Sequence, residues 1–179
     1  MKATGIVRRI DDLGRIVIPK EIRRILRIRE SDPLEIYTTA DGEVIFKKYS
    51  PVGEIGTFAA QYAEVLAKQL SVTALICDRD EIIAAFGPAK RECQGRHVSR
   101  PLEQIMENRR LYLYGGRGSE SLYPCEGAGE AIAVAMPVLA AGDMVGAVVL
   151  LSEEKSRPAE TLVKSAQIAA AFLAKQMEE

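Results

Sequence analysis

Six arginines, Arg8, Arg9, Arg15, Arg23, Arg24 and Arg27, fall within twenty positions near the start of the chain. A guanidinium carries paired donors in a rigid fork, which suits phosphate oxygens and the O6/N7 edge of guanine. The same composition describes a short solvated helix, because Asp11, Asp12, Glu21 and Glu30 lie among these bases. Other groups point to chemistry less strongly. Cys93 and His97 stand at C-x3-H spacing and could share a metal with Cys125, but the three cysteines are odd in number and none forms a CxxC pair. Cys77 sits in an apolar run and reads as core, so neither a metal site nor a disulfide framework is expected. Gly115-Gly116-Arg117-Gly118 lacks the GxxxxGK[ST] pattern of a phosphate cradle and reads as a loop. Asp11, Asp12, Asp78 and Asp80 fall in turns, and Glu153-Glu154 and Glu178-Glu179 at element ends, where solvation accounts for them. No catalytic constellation and no cofactor motif stands out, and an enzyme is not expected.

The charge must be read by position. Over 179 residues, 24 Lys and Arg against 25 Asp and Glu leave −1, which by itself argues against nucleic acid. Residues 1–50 hold 11 basic and 8 acidic groups, a net +3, and residues 51–179 hold 13 and 17, a net −4. The apolar fraction of 47% is that of an ordinary globular chain. The most apolar stretch, residues 131–151, is interrupted by Pro137, Gly142, Asp143 and Gly146 and cannot span a membrane. The first residues contain no continuous apolar segment of signal-peptide type. A cytoplasmic protein with no membrane partner is expected.

The elements that must position the arginines are short and well punctuated. Residues 5–10 and 15–18 are rich in β-branched side chains and flank the turn Asp11-Asp12-Leu13-Gly14, and Pro19 starts an amphipathic helix over 20–28. Residues 34–39 and 44–49 flank Asp41-Gly42, a hairpin signal of type I′. The expected order is β-β-α-β-β. The turn cluster Ser50-Pro51-Val52-Gly53 and a change of charge sign mark a hinge, giving domains 1–52 and 53–179. Fifty residues of this kind bury little surface alone, and dimerisation is expected.

Beyond the hinge, a helix over 55–70, strands over 72–77 and 82–86, a Ser99-capped helix carrying Leu102, Ile105 and Met106, and a strand over 111–114 are expected. A hairpin over 131–139 and 144–151 and a helix opened by Pro158 follow. Strands and helices do not alternate in the βαβ manner, so the fold class is α+β with an antiparallel sheet. In the last helix, Leu162, Ala166, Ala169, Leu173 and Met177 form one stripe, which either covers its own sheet or makes a second dimer contact.

The run Thr4-Gly5-Ile6-Val7-Arg8-Arg9-Ile10-Asp11-Asp12-Leu13-Gly14-Arg15-Ile16-Val17-Ile18-Pro19-Lys20-Glu21-Ile22-Arg23-Arg24, followed by Leu34-Glu35-Ile36-Tyr37, closely resembles the AbrB family of bacterial transition-state transcription regulators. The resemblance implies a swapped-hairpin β-barrel dimer that presents a looped hinge helix to double-stranded DNA. The family's DNA-contacting arginines map onto Arg8, Arg15, Arg23 and Arg24. With no long recognition helix, sequence preference would rest largely on DNA shape and flexibility.

Residues 55–179 resemble a GAF domain, on helix, hairpin, variable middle, Met136-Pro137-Val138, the turn Gly142-Asp143 and Val145-Gly146-Ala147-Val148-Val149. That resemblance implies a sensory module for an unknown small-molecule effector; candidate lining residues fall at 87–127 by position, and dimerisation through both domains, the second through the C-terminal helices, would give a homotetramer. The resemblance, taken over the whole chain, implies a nucleoid-associated regulator, activator and repressor, of bacterial sporulation genes. The alternatives are an antitoxin-type autorepressor, whose tail would be flexible, and a GAF-type methionine sulfoxide reductase working through Cys93 and Cys125.

Overall fold

The computed structural model describes residues 5–115, 119–153 and 156–178, so Gly116, Arg117 and Gly118 of the glycine-rich segment, with Glu154 and Glu179, lie outside the described residues. The chain divides into two compact units, Met1–Tyr49 and Ser50–Glu179.

In the first unit, Pro19 precedes α1 (Lys20–Ile25), and an antiparallel hairpin of β1 (Leu34–Thr38) and β2 (Val44–Lys48) follows. Its register runs from Leu34↔Lys48 to Thr38↔Val44. Two expectations are corrected. Residues 5–10 and 15–18 form no strand, because within one chain no neighbouring edge supplies their ladder hydrogen bonds. The turn at Asp41-Gly42 is not type I′: Gly42 alone is left-handed, at φ +82°, its N–H donates to Thr39 O at 3.1 Å, and Asp41 stays at negative φ. This is the three-residue hairpin form with a bulge at glycine. Taken as whole residues, only Pro19 is buried among the described residues of this unit, while Val7, Val17 and Ile25 are 89%, 71% and 77% exposed.

The helix expected over 20–28 ends earlier, at Ile25, and the reason is visible. Ile28 N–H donates to Arg23 O at 2.7 Å and Arg27 N–H to Arg24 O at 3.3 Å, closing a Schellman motif around Arg27 at φ +52°. An arginine in this left-handed position costs about 1 kcal/mol relative to the usual glycine.

The second unit begins with α2 (Pro51–Glu54), capped by Ser50, whose Oγ accepts from Gly53 N at 3.0 Å and donates to Asp78 Oδ2 at 2.8 Å. The cluster expected as a hinge is therefore a helical turn, and its Val52 is fully buried. Then come α3 (Gly56–Leu70), β3 (Thr73–Cys77), β4 (Ile82–Phe86), α4 (Lys90–Cys93), α5 (Arg100–Glu107), β5 (Tyr112–Leu113), β6 (Ala131–Ala140), β7 (Asp143–Ser152) and α6 (Glu160–Gln176). The strands form one antiparallel sheet in the order β4-β3-β7-β6-β5.

Period-two alternation sends neighbouring side chains to two cores. Ala74, Ile76, Val148 and Leu150 pack with Ala63 and Leu66 of α3 and Ala166, Ala169 and Leu173 of α6. Leu75, Cys77, Val149 and Leu151 pack on the other face with Leu102 and Met106 of α5 and Cys93 of α4. A sheet covered on both sides explains why β3 and β7 read as continuous apolar runs. β7 passes so close to β3 that a Cβ on Gly146 would lie 2.0 Å from the Cys77 carbonyl oxygen. The β3–β4 register slips at the same place, between Ile76 and Cys77.

The α6 stripe is consumed by its own sheet, since Ala166, Ala169 and Leu173 are fully buried. Its other side leaves Ile168 and Phe172 exposed, and α3 adds exposed Val65. Phe172 also joins a ring cluster, with centroids 5.8 Å from both Phe58 and Tyr62.

Candidate nucleic-acid interface

The loop of residues 11–15 is organised by one carboxylate. Asp11 Oδ1 accepts from Leu13 N at 3.0 Å and Arg15 N at 2.8 Å, and its Oδ2 accepts from Arg15 Nε at 2.8 Å. The backbone closes the same ring, with Asp11 N–H donating to Arg15 O at 3.1 Å and Gly14 N–H to Asp11 O at 3.0 Å. Gly14, at φ +75°, supplies the left-handed residue that this reversal requires. The backbone N–H and guanidinium of Arg15 hold the Asp11 carboxyl below the usual carboxylate range.

Arg15 remains 69% exposed although its Nε is engaged. Arg23 and Arg24 project from the last turn of α1, where cations are favoured by the helix dipole, and both are exposed. Arg8 lies in segment 5–10, which forms no regular element, and is exposed as well. Among the described residues Arg8, Arg23 and Arg24 make no ion pair, so their charge is available to an anion. The alternation argument that separates Arg8 from Arg9 does not apply within one chain, since both are exposed on a segment without strand pairing.

A second carboxylate, which the sequence reading passed over, holds the helix from behind. The Asp32 side chain is 1% exposed, and its Oδ2 accepts from Arg29 N at 2.8 Å and pairs with Lys48 Nζ at 3.2 Å. Lys48 Nζ also donates to Arg27 O at 2.8 Å. The Schellman end of α1 is thereby tied to the last residue of β2. An aspartate just before Pro33 and a lysine at a strand end are the only sequence signs of this node.

Elsewhere, a cleft of about 160 Å³ in the second unit is lined by Tyr114, Ser121, Tyr123, Ser152 and Glu153 among others. Its wall draws on β6 and the end of β7 as well as on the expected window 87–127, because the sheet edge supplies one side. Cys93 and Cys125 are both buried. Desolvation pushes the Cys93 thiol up to about 12 and raises that of Cys125, so neither is poised as a thiolate nucleophile or ligand. Among the described residues no group of three or more His, Cys, Asp or Glu side chains could hold a metal ion. No helix among them is long and apolar enough to cross a membrane.

Residues 54–178 match the family described as Stage V sporulation protein T C-terminal, transcription factor, and residues 7–54 match Antidote-toxin recognition MazE, bacterial antitoxin. The chain is 49% identical over 179 residues to Stage V sporulation protein T of Bacillus subtilis (strain 168), covering 100% of both chains. It is 61% identical over 51 residues to the transition state regulatory protein AbrB of the same organism, 28% of this chain and 52% of that relative. The GAF domain from a phosphoenolpyruvate-protein phosphotransferase of Coxiella burnetii aligns with a TM-score of 0.54 at 15% identity, over 69% of this chain and 82% of that one. This last likeness is one of fold, and it gives the second unit a GAF-like architecture.

Proposed function

The chain belongs to the stage V sporulation protein T family of transcription factors, and from that premise we propose that it binds double-stranded DNA through Arg8, Arg15, Arg23 and Arg24. It acts in this reading as activator and repressor of sporulation genes, in the cytoplasm and on the nucleoid. The observation that carries the proposal is the surface of the first unit. A loop held by Asp11 and a helix held by Asp32 expose Arg15, Arg23 and Arg24. Phosphate contacts from the helix and base-edge contacts from the loop are the roles their positions suit.

Residues 1–52 serve as the DNA-binding and dimerisation domain. The absence of a core among described residues 5–49 supports a swapped-hairpin dimer in which the partner copy pairs with segments 5–10 and 15–18 and covers Val7, Val17 and Ile25. Residues 53–179 serve as the sensory and oligomerisation domain. Exposed Val65, Ile168 and Phe172 support a second contact between copies, and hence a tetramer. The cleft at Tyr114 and Glu153 suits an effector of few atoms, being smaller than sites for drug-sized ligands.

A flexible antitoxin tail does not describe residues that build two cores, and a thiol enzyme does not fit the buried Cys93 and Cys125. The test is a gel-shift titration of Arg15→Ala and Arg23→Ala. Both weaken binding while sedimentation shows the wild-type oligomer; unchanged affinity in both variants refutes the assignment.

A further inference from the structure

Asp11 places a negative charge inside the most basic stretch of the chain, on a surface read here as facing phosphates. Its exposure would let water solvate it at no loss, yet both of its carboxylate oxygens are engaged: Oδ1 takes two backbone N–H groups and Oδ2 takes Arg15 Nε at 2.8 Å. The two oxygens therefore do separate work. Oδ1 shapes the loop, and Oδ2 fixes a guanidinium by its inner edge, which leaves the Nη1 and Nη2 pair at the exposed end of the side chain. That pair is the bidentate edge that matches guanine O6/N7 or one phosphate.

Resting on the DNA-binding reading, we propose that Asp11 is a positioning residue that determines sequence specificity: it presets the Arg15 guanidinium for one approach to the groove and, by its charge, weakens sequence-independent attraction to phosphate. Two physical effects follow from one side chain. An arginine already held in its bound geometry loses less rotamer freedom on binding, which favours the duplex that fits that geometry. A carboxylate beside the phosphates reduces counterion release for every duplex alike. Specific binding gains from the first effect more than it loses to the second, and non-specific binding only loses.

Asp11→Asn separates these roles, because the amide oxygen can still accept from Leu13 N and Arg15 N while its NH2 cannot accept from Arg15 Nε. Asp11→Ser, which keeps a short capping oxygen, serves as the second variant should the first misfold. The probes are the duplex that the wild-type protein enriches from a random-sequence library, and poly(dI-dC), both followed by fluorescence anisotropy across a NaCl series. For Asp11→Asn, affinity for the enriched duplex falls about 10-fold, since one charge-assisted bond no longer positions Arg15. Affinity for poly(dI-dC) rises about 3-fold, and the slope of log affinity against log salt steepens by about 0.9 for each carboxylate removed from the phosphate field. In an Arg15→Lys background, which lacks the fork, Asp11→Asn no longer lowers affinity for the enriched duplex. A ratio of enriched to non-specific affinity that stays at the wild-type value in both Asp11 variants overturns the proposal. Failure to enrich any duplex while poly(dI-dC) is still bound also overturns the proposal, whereas a wild-type protein that binds neither the library nor poly(dI-dC) overturns the DNA-binding reading instead.

Discussion

Replacing Gly146 by alanine puts a methyl group where the structure has a backbone oxygen. The added Cβ would stand 2.0 Å from Cys77 O, 3.1 Å from Cys77 C and 3.2 Å from the Asp78 Cα. Ordinary contact needs about 3.4 Å or more, so β3 and β7 must part by more than an ångström. Neither strand is free to move. Cys77 pairs with Ala147 across the ladder, and Ala147, Val148, Val149 and Leu150 are all fully buried between the two cores. Overpacking of a core side chain usually costs about 1–3 kcal/mol, and backbone on both sides of the clash places this one at the upper end, about 3 kcal/mol. For a unit of this size each kcal/mol lowers Tm by about 3–4 °C, so a fall of about 10 °C is expected by circular dichroism. Gly95→Ala is the control: φ is +70° there but nothing lies within 4 Å of the added Cβ. Only the left-handed strain of about 1 kcal/mol applies, and Tm falls by about 3–4 °C. A Gly146→Ala protein that melts with wild type, or above Gly95→Ala, refutes the close-approach argument.

Three further outcomes are expected. Asp32→Ala leaves Lys48 and Arg29 N without their shared acceptor; with Lys48 25% exposed, solvent screens part of the loss, and destabilisation of about 1–3 kcal/mol in urea titration is accompanied by weaker DNA binding. An Asp32→Ala protein with wild-type urea midpoint removes the node from the account. Burial pushes the Cys77 thiol up to about 12 from 9.0, so the folded state keeps a proton that the unfolded chain loses. Its stabilising contribution is complete below about pH 9 and is lost by about 1.4 kcal/mol per pH unit between pH 9 and 12, so the alkaline slope of Cys77→Ala should be shallower by that amount. Equal alkaline slopes for the two proteins count against it. Finally, Arg23→Ala should flatten the salt dependence of DNA affinity by about 0.9 for each phosphate contact removed, with anisotropy as the readout; an unchanged slope means Arg23 meets no phosphate.

The second unit was largely legible from its residues. Period-two and period-3.6 apolar spacing placed β3, β4, β6, β7, α3, α5 and α6 to within a few positions, and Ser99 caps α5 by accepting from Leu102 N at 3.2 Å. The short α4 was not legible, since Lys90-Arg91-Glu92-Cys93 is a single turn, closed by Cys93 N–H to Ala89 O, and one turn carries no periodicity. The first unit was legible in type and not in pairing. Residues 5–10 and 15–18 have strand composition, yet a strand is a relation between two edges, and composition says nothing of which chain supplies the second. For the site, residue type marked six arginines, and the resemblance to the AbrB family singled out Arg8, Arg15, Arg23 and Arg24 among them. The carboxylates that hold them were invisible, because Asp11 and Asp32 look like any turn aspartate until Arg15 Nε and Lys48 Nζ are placed beside them.

The lack of a private core among the described residues of the first unit bears on how such a regulator turns over. On the proposed dimer, a separated copy would expose Val7, Val17 and Ile25 together with the unpaired backbone of two segments, so parting and unfolding become the same event. Exchange of subunits between assemblies is then as slow as unfolding itself, and mixing old with new molecules is negligible over times shorter than that. On that dimer, chains made at the same moment would stay together. Each assembly would keep the composition it had at synthesis, and any damaged or variant copy would be confined to the partners it first met.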